Sequence, residues 1–339
     1  MIEIKTPARL HLGLLDTNGN LGRLYGSIGV AIKRPNVVLK AEPADSLEVE
    51  GLESNRVLVF ARQFLSRYPI LTNAHLSLIS NIPSHIGLGS GTQLALAVGT
   101  ALSRLGNLDL SLEEIALALG RGVHSGIGIN TFQYGGFVLD GGQRIDQIGP
   151  NPITPASGER AVPPVLFHQP IPENWFFVIV VPETEKGLSG EKELAAFRKL
   201  PKMPDSHVEK VCRLLLMKML PALVENDIVI FGQALTEIQR LVGESFAGIQ
   251  GGQFANPLSE QLIGFLLERG ATGAGQSSWG PTVYGLVNGE ESACILSNQA
   301  EEYLNSVGKG QSFYAQPDNH GARIQDDNNS ASSNNIDMG

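Results

Sequence analysis

A glycine-rich segment between a strand pattern and a helix pattern is the part of the sequence best suited to bind an anion. Residues 82–93 read Ile-Pro-Ser-His-Ile-Gly-Leu-Gly-Ser-Gly-Thr-Gln, with β-like alternation before them at Ala74–Ile79 and helical periodicity after them at Gly91–Leu105. The first N–H groups of a helix lack partners and carry partial positive charge, and glycines allow a ligand to approach closely. The segment therefore predicts a phosphate loop, for which a tight turn with a Ser/Thr cap is the alternative. The predicted phosphate-binding residues are Gly87, Gly89, Ser90, Gly91 and Thr92.

Arg9, His11 and Asp16 are the predicted catalytic residues, and Arg23 is predicted to bind substrate. Arg9 and His11 alternate with leucines, so a strand would turn both side chains to one face, where a guanidinium can clamp phosphate or carboxylate. A solvated edge strand is the alternative for this pair. Asp16 would hold a metal ion or a ribose hydroxyl, or else begin a turn. Arg23 would contact pyrophosphate, or else lie in a surface loop.

Five more polar residues are predicted to bind substrate because they lie within or beside glycine-rich segments. Arg121 lies between two glycines and can approach an anion, although a helix C-terminus also favours a cation there. Gln276 can donate a hydrogen bond from a second glycine-rich segment, residues 270–281, for which a plain turn is the alternative. The five residues are His85, Arg121, Ser125, Gln276 and Ser277.

The composition disfavours several classes of protein. The chain has 339 residues, 42% of them hydrophobic and 17% charged, which provides for a sizeable core and excludes disorder over the whole length. Its net charge of −9 disfavours nucleic acid and anionic lipid as partners. Two cysteines make no disulfide framework, and no apolar run reaches the roughly 18 residues of a membrane span. The N-terminus lacks the apolar region of a signal peptide. We therefore expect a cytoplasmic protein that acts on small molecules.

Strand and helix patterns are intermixed in both halves of the chain, and a stretch of different composition between the halves predicts two domains. The stretch Gly149–Pro172 is rich in Pro, Gly and Ser and predicts the boundary. We expect an N-terminal domain over residues 1–160, a C-terminal domain over residues 161–324 and a disordered polar tail over residues 325–339. A turn is predicted at Pro35-Asn36, between two separate strands.

The phosphate loop resembles the P-x-x-x-G-L-G-S-S motif of the GHMP kinase superfamily, which includes galactokinase, homoserine kinase and mevalonate kinase. Residues 270–281 resemble the glycine-rich C-terminal motif of that superfamily, and residues 7–16 lie where its members have a substrate-side motif. The three motifs occur in the same order. The resemblance implies an α+β fold with an N-terminal α/β domain, a C-terminal ferredoxin-like domain and a site between them.

Position 128 separates this sequence from several kinases of the superfamily. Those kinases read S-G-x-D where this chain has Ser125-Gly126-Ile127-Gly128, and their Asp assists deprotonation of the attacking hydroxyl. Gly128 cannot accept a proton, and Gly91 replaces the second serine of the phosphate loop. Homoserine kinase-like members work without this Asp. An ATP-dependent small-molecule kinase therefore stays as an alternative, as does a non-catalytic ligand-binding relative.

Finer matches resemble the β-ribofuranosylaminobenzene 5′-phosphate synthase family within that superfamily. They lie at residues 9–16, 23–29, 120–122, 125–128 and 275–281. This resemblance implies a decarboxylating phosphoribosyl transferase that condenses phosphoribosyl pyrophosphate with 4-aminobenzoate or 4-hydroxybenzoate. Such an enzyme releases CO2 and pyrophosphate in an early step towards methanopterin-type pterins. Mg²⁺ is the expected cofactor, with ligands that the sequence does not identify. Relatives are commonly dimers, which leaves a homodimer open.

Overall fold

Two β-sheets with helices packed on them form the protein. The computed structural model describes residues 1–70, 73–147, 161–183, 195, 201–250, 252–254 and 256–326. Within these residues the first sheet has eight strands and the second has four. Strands and helices are mixed in both halves of the chain, which confirms the predicted α+β fold class.

Strands and helices alternate from one end of the described chain to the other. The strands are β1 (Ile2–Asp16), β2 (Arg23–Ala44), β3 (Glu48–Gly51), β4 (Asn73–Ser80), β5 (Phe137–Asp140), β6 (Gln143–Arg144), β7 (Val165–Gln169), β8 (Trp175–Pro182), β9 (Gly273–Gln276), β10 (Val283–Asn288), β11 (Gly310–Ala315) and β12 (Arg323–Asp326). The α-helices are α1 (Ser54–Arg67), α2 (Ser90–Leu105), α3 (Leu112–Ala118), α4 (Ile127–Tyr134), α5 (Asp205–Leu214), α6 (Leu220–Val224), α7 (Ile228–Gln250), α8 (Pro257–Glu268) and α9 (Glu290–Val307). A π-helical segment, Leu215–Met219, joins α5 to α6. In the described part of the chain, none of the helices is both long and apolar enough to cross a membrane.

The long antiparallel pair β1 and β2 forms the centre of the first sheet. Most of the apolar residues of these strands are fully buried. The predicted turn at Pro35-Asn36 is wrong, because β2 continues through it. Ile32 pairs with Ala8 and Val37 pairs with Thr6, so the residues between Ile32 and Val37 form a bulge rather than a chain reversal.

Helix α2 is the buried helix of the first sheet and follows the phosphate loop. Its predicted apolar face is confirmed, since Leu94, Val98 and Leu102 have no exposed surface. The sequence carries no periodic signal for α4, which contains a glycine and β-branched residues of low helix propensity. Helix α4 packs against α2, and this tertiary contact outweighs the weak local preference.

The second sheet has the β-α-β-β-α-β chain order of a ferredoxin-like fold. Its strands lie side by side in the order β11-β8-β10-β9, and each neighbouring pair is antiparallel. Helices α5 to α8 form the first helical connection and α9 forms the second. This arrangement confirms the ferredoxin-like architecture predicted for the C-terminal part of the chain.

Two strands from beyond residue 160 join the first sheet. β7 pairs with β5, and β12 pairs with β1. The first sheet thus includes strands from beyond residue 160, and the predicted boundary stretch itself lies outside the described residues over 149–160. The predicted disorder is wrong for Gln325 and Asp326, because both pair with β1 at the end of β12. The prediction for residues 327–339 lies outside the described residues.

Candidate functional site

The phosphate loop has the strand–loop–helix arrangement that the sequence predicts. It follows β4 and ends at Gly89, which precedes α2 in left-handed backbone geometry with a φ of 82°. His85, an exposed residue, also has a positive φ of 63°, which is uncommon for a residue with a side chain. The loop therefore turns sharply before it reaches the start of α2. At the start of a helix, N–H groups without intrahelical partners and the helix dipole can stabilise a bound anion, so the phosphate-binding role stays a prediction for this loop.

Three distant segments meet at the phosphate loop through hydrogen bonds. The Arg9 guanidinium donates to the Gly87 carbonyl oxygen, and the Ser277 hydroxyl donates to the same oxygen over 2.7 Å. The Arg9 backbone N–H donates to the Leu88 carbonyl over 3.1 Å, and the His11 N–H donates to the Ser277 hydroxyl oxygen over 3.0 Å. The structure thus brings predicted residues of three motifs into one connected group.

The two glycine-rich segments contact each other backbone to backbone. A Cβ atom at Gly87 would lie 2.4 Å from the Ser277 carbonyl oxygen, and one at Gly280 would lie 2.2 Å from the Ile86 carbonyl oxygen. Real Cβ atoms do not approach other atoms so closely. Glycine at these two positions is therefore required by the contact between the two glycine-rich segments, in addition to any approach of a ligand.

His11 is a neutral group at the site. Desolvation, and to a smaller extent the positive charge of Arg9, lower the pKa of its imidazole to about 3. A neutral imidazole can donate and accept hydrogen bonds, but it adds no positive charge. Of these two residues of β1, Arg9 therefore supplies the positive charge at the phosphate loop. The catalytic role of His11 stays a prediction, and it must be one that a neutral imidazole can perform.

The first turn of α2 has two different sides. On the arginine side (Gly91, Arg56 and Arg121), guanidinium nitrogens of Arg121 and Arg56 lie 3.4 and 3.6 Å from the point that a Cβ at Gly91 would occupy. On the Gly128 side (Thr92 and Gly128), the Thr92 Cγ2 atom lies 2.9 Å from the point that a Cβ at Gly128 would occupy. One side of the turn is therefore flanked by cations, and the other is closed by packing.

Two arginines lie beside the first turn of α2. Arg121 is one of the predicted substrate-binding residues, and Arg56 is not among them. The Arg121 guanidinium carbon lies 5.0 Å from the centre of the Phe60 ring, a cation–π contact. Arg56 donates hydrogen bonds to the Glu53 carboxylate and the Ser84 hydroxyl. A signal for Arg56 exists in the strand order, because β3 and β4 are parallel and α1 connects them. That topology places the start of α1 at the sheet edge from which the phosphate loop leaves.

Ser125 belongs to a turn that a buried carboxylate holds. Asp140, the last residue of β5, accepts hydrogen bonds from the backbone N–H groups of Gly126 and Gly142, each over 2.9 Å. The Ser125 hydroxyl lies 3.5 Å from the same carboxylate and accepts from the Ile127 N–H over 3.2 Å. Desolvation outweighs the hydrogen bonds to Asp140 and raises its pKa to about 6. Sequence reasoning missed Asp140, although an acid that follows three apolar strand residues is a visible signal.

Asp16 and Arg23 do not hydrogen-bond to the phosphate loop within the residues that the structure describes. Asp16 accepts from the backbone N–H of Asn18 over 2.7 Å, which is the bonding of a turn residue. Arg23 is exposed and donates to the carbonyl oxygens of Gly141 and Gly142 over 2.7 and 2.8 Å. Asp16 fits the turn residue given as its alternative. Arg23 lies on the surface as its alternative expects, but it begins strand β2 rather than lying in a loop. Their roles towards metal or substrate stay predictions.

Gln276 is buried and belongs to a scaffold that joins the second sheet to β1. Its backbone N–H donates to the Gln239 side-chain carbonyl over 2.9 Å, and Gln239 in turn donates to the Leu12 carbonyl. The Gln276 side chain donates to the Ser278 carbonyl over 2.9 Å. Gln239, on α7, was not predicted, because its partners come from distant parts of the sequence. The contact predicted between Gln276 and substrate stays a prediction.

The described residues offer no obvious ligand set for the expected Mg²⁺. Among them, no group of three or more His, Cys, Asp or Glu side chains lies close enough to hold a metal ion. The positive charge beside the phosphate loop comes from the Arg9, Arg56 and Arg121 side chains and from the start of α2. The Mg²⁺ cofactor therefore stays a prediction.

The fold implied by the three motifs is found in solved relatives. The family model described as GHMP kinases N terminal domain matches residues 55–136, and the model described as GHMP kinases C terminal matches residues 219–306. A homoserine kinase from Cytophaga hutchinsonii has a similar structure, with a TM-score of 0.64 at 16% identity. The similarity covers 96% of this chain and 97% of that chain. The predicted superfamily fold is confirmed.

Two relatives identify the branch of the superfamily. Beta-ribofuranosylphenol 5′-phosphate synthase from Methanothermobacter thermautotrophicus is 35% identical over 296 residues, covering 84% of this chain and 88% of that protein. The synthase of the same name from Archaeoglobus fulgidus is 37% identical over 290 residues, covering 85% of this chain and 88% of that protein. With this similarity along most of its length, the chain belongs to the beta-ribofuranosylphenol 5′-phosphate synthase family of the GHMP kinase superfamily.

Proposed function

We propose that the protein condenses phosphoribosyl pyrophosphate with 4-hydroxybenzoate and releases CO2 and pyrophosphate, as a step of a methanopterin-type pathway. The similarity to two synthases along 84% and 85% of the chain is the observation that carries this proposal. Their name specifies a ribosylated phenol that bears a 5′-phosphate. A phenol product requires an acceptor with a hydroxyl group, whereas 4-aminobenzoate would give an aniline. We therefore favour 4-hydroxybenzoate over 4-aminobenzoate.

The proposed reaction exchanges one substituent of an aromatic ring for another. The bond between the anomeric carbon and the pyrophosphate oxygen breaks, and its electron pair leaves with pyrophosphate. The ring carbon that bears the carboxylate attacks the anomeric carbon, assisted by electron donation from the para hydroxyl. The bond to the carboxylate then breaks, its electron pair restores the aromatic ring, and CO2 leaves. Because the ring carbon loses CO2 rather than a proton, no base is needed at that carbon.

The protein supports this chemistry by positioning the substrates and stabilising charge. The Arg9 guanidinium lies at the phosphate loop, where it hydrogen-bonds to Gly87, and the loop leads into the N–H groups of α2. We assign these donors to the phosphoryl oxygens of phosphoribosyl pyrophosphate, on which negative charge grows as pyrophosphate departs. His11, whose imidazole is neutral, is assigned a hydrogen-bonding role beside them.

The Gly128 side of α2 favours the synthase over a kinase. A kinase must activate a hydroxyl, and the position where several superfamily kinases have an Asp is a glycine here. A Cβ at this position would lie 2.9 Å from the Thr92 Cγ2 atom, so a carboxylate would fit only after Thr92 or α4 moved. The site therefore has neither the carboxylate nor an open space for it.

The acceptor is tested by comparing three benzoates that differ only at the para position. The purified protein is incubated with phosphoribosyl pyrophosphate, Mg²⁺ and carboxyl-labelled 4-hydroxybenzoate, 4-aminobenzoate or unsubstituted benzoate, and released CO2 is counted. We expect the fastest release from 4-hydroxybenzoate and none from benzoate, which lacks a para donor. Faster release from 4-aminobenzoate would reassign the acceptor. No release from any of the three would contradict the proposed function.

A further inference from the structure

Arg56 and Arg121 converge on one point of α2 from different parts of the fold. Arg56 lies in the first turn of α1, and Arg121 follows α3. Their guanidinium nitrogens lie 3.6 and 3.4 Å from the point that a Cβ at Gly91 would occupy. Two guanidinium groups that approach one point from different sides can both donate hydrogen bonds to the same anion.

Gly91 leaves space that its backbone does not require. Its φ is not among the positive values found for other glycines, and it lies within the first turn of a helix. Glycine in a helix is less favourable than alanine by roughly 0.5–1 kcal/mol, so a residue with a side chain would suit the local backbone better. The missing side chain opens the approach to α2 on the side where the two arginines lie.

Glu53 and Ser84 hold Arg56 in place. The Glu53 carboxylate accepts hydrogen bonds from Arg56 and, over 2.7 Å, from the Ser84 hydroxyl. Partial burial opposes ionisation of Glu53, but these hydrogen bonds and the charge of Arg56 keep its pKa below the ordinary value. The Nη1 atom of Arg56 makes these contacts, while Nη2 is the atom nearest Gly91. These contacts orient the Arg56 guanidinium group. Its Nη1 atom is held by Glu53 and Ser84, and its Nη2 atom lies beside α2.

We propose that Arg56 and Arg121 bind a phosphoryl group across Gly91, as a second anion contact next to the one formed by Arg9 and the phosphate loop. Cations on two flanks of one loop suit a ligand with more than one phosphoryl group. Phosphoribosyl pyrophosphate carries a diphosphate and a separate 5′-phosphate, and this identification of the ligand rests on the proposed function. The binding of phosphate or diphosphate by the arginine pair does not depend on it.

Binding of simple anions to single variants tests the pair. Arg56→Gln and Arg121→Gln are compared with the wild-type protein for the affinity of pyrophosphate, inorganic phosphate and ribose 5-phosphate by isothermal titration calorimetry. Loss of one charge-assisted hydrogen bond weakens binding by about 10- to 100-fold. Arg62→Gln is the matched control, because Arg62 is an exposed arginine of the same helix, and its affinity should not change. Selective loss of pyrophosphate or of ribose 5-phosphate affinity would show which end of the substrate the pair binds.

Two features of the experiment separate loss of anion binding from misfolding and from loss of the proposed reaction. Lysine variants are available, and the titrations contain no benzoate. Arg56→Lys and Arg121→Lys retain the charge but lose the planar fork, and they replace the glutamine variants if those fail to fold. Unchanged affinity for all three anions in folded variants of both arginines would overturn the proposal. Because no benzoate is present, weakened binding supports the arginine pair even if no CO2 release is ever found. Conversely, CO2 release by the wild-type protein together with unchanged anion affinities in the variants would support the proposed function and refute the role of the arginine pair.

Discussion

The arginine side and the Gly128 side of α2 belong to the same helical turn, yet they offer a ligand opposite surroundings. At Gly91, a residue without a side chain is flanked by two guanidinium groups. At Gly128, the space is taken by Thr92, and the Gln93 side chain donates to the Gly128 carbonyl over 2.8 Å. A loop that resembles a kinase motif can therefore be flanked by cations on one side while the position of the kinase carboxylate is closed on the other. Function follows from the side chains around the loop rather than from the loop alone.

We expect the largest loss of stability when a substitution at Gly87 displaces the phosphate loop, which leads into α2. Gly87→Val would place a Cβ 2.4 Å from the Ser277 carbonyl oxygen at a φ of 95°, so the two glycine-rich segments must separate. We expect loss of more than about 3 kcal/mol in the free energy of unfolding and loss of thermal protection by pyrophosphate. Gly22→Val is the control, with a φ of 84° but nothing within 4 Å of its Cβ, and it should lose about 1–2 kcal/mol. Equal losses in the two variants would contradict the contact.

The carboxylate beneath the Ser125 turn should reveal itself in the pH dependence of stability. The folded-state pKa of Asp140, about 6, exceeds its ordinary value of 3.8, so the folded protein binds this proton more tightly than the unfolded chain. The stabilisation is complete below the ordinary pKa and is lost as the pH rises through 6. From pH 7 down to pH 4, wild type should therefore gain about 2 kcal/mol relative to Asp140→Asn in urea unfolding. Exposed Asp109→Asn serves as control, and a pH-independent difference for Asp140→Asn would refute the assignment.

Substitution of Arg9 tests whether the cation that β1 places at the phosphate loop contributes to activity. Arg9→Ala removes the hydrogen bond to the Gly87 carbonyl and the adjacent charge, which together contribute about 1.5–3 kcal/mol. We expect kcat/KM for phosphoribosyl pyrophosphate to fall by about 10- to 100-fold. Lys5→Ala removes an exposed cation of the same strand and should leave kcat/KM unchanged. Comparable rates in Arg9→Ala and Lys5→Ala would exclude Arg9 from the site.

The smallest effect is expected on the closed side of the turn. Gly128→Asp restores the residue type of several superfamily kinases but forces it against Thr92, at a cost of about 1–3 kcal/mol in stability. We expect a lower melting temperature and no gain of acceptor-stimulated ATP turnover. Gly248→Asp, at an exposed glycine of α7 with open space around it, controls for the loss of a helical glycine and should change stability less. A variant that gained kinase activity would show that the closed side is still a kinase site.

Local pattern was enough to predict the phosphate loop, because its glycines, hydroxyls and flanking elements are contiguous. It was not enough for Arg56, Asp140 and Gln239, whose contacts with the site are created by the way distant strands and helices pack. Helix α4 was missed for the same reason, since its stability comes from α2 rather than from its own residues. The turn predicted at Pro35-Asn36 failed because a bulge and a turn share the same residue signals.

Product stoichiometry tests most directly whether the phosphate loop serves ribosyl transfer or phosphoryl transfer. The protein is given phosphoribosyl pyrophosphate, carboxyl-labelled 4-hydroxybenzoate, Mg²⁺, ATP, homoserine, mevalonate and galactose in one reaction, and CO2, pyrophosphate and ADP are quantified. We predict CO2 and pyrophosphate in equal amounts, with ADP no higher than in a blank without protein. Formation of ADP that depends on one of the alcohols, without release of CO2, would contradict the synthase and establish a kinase.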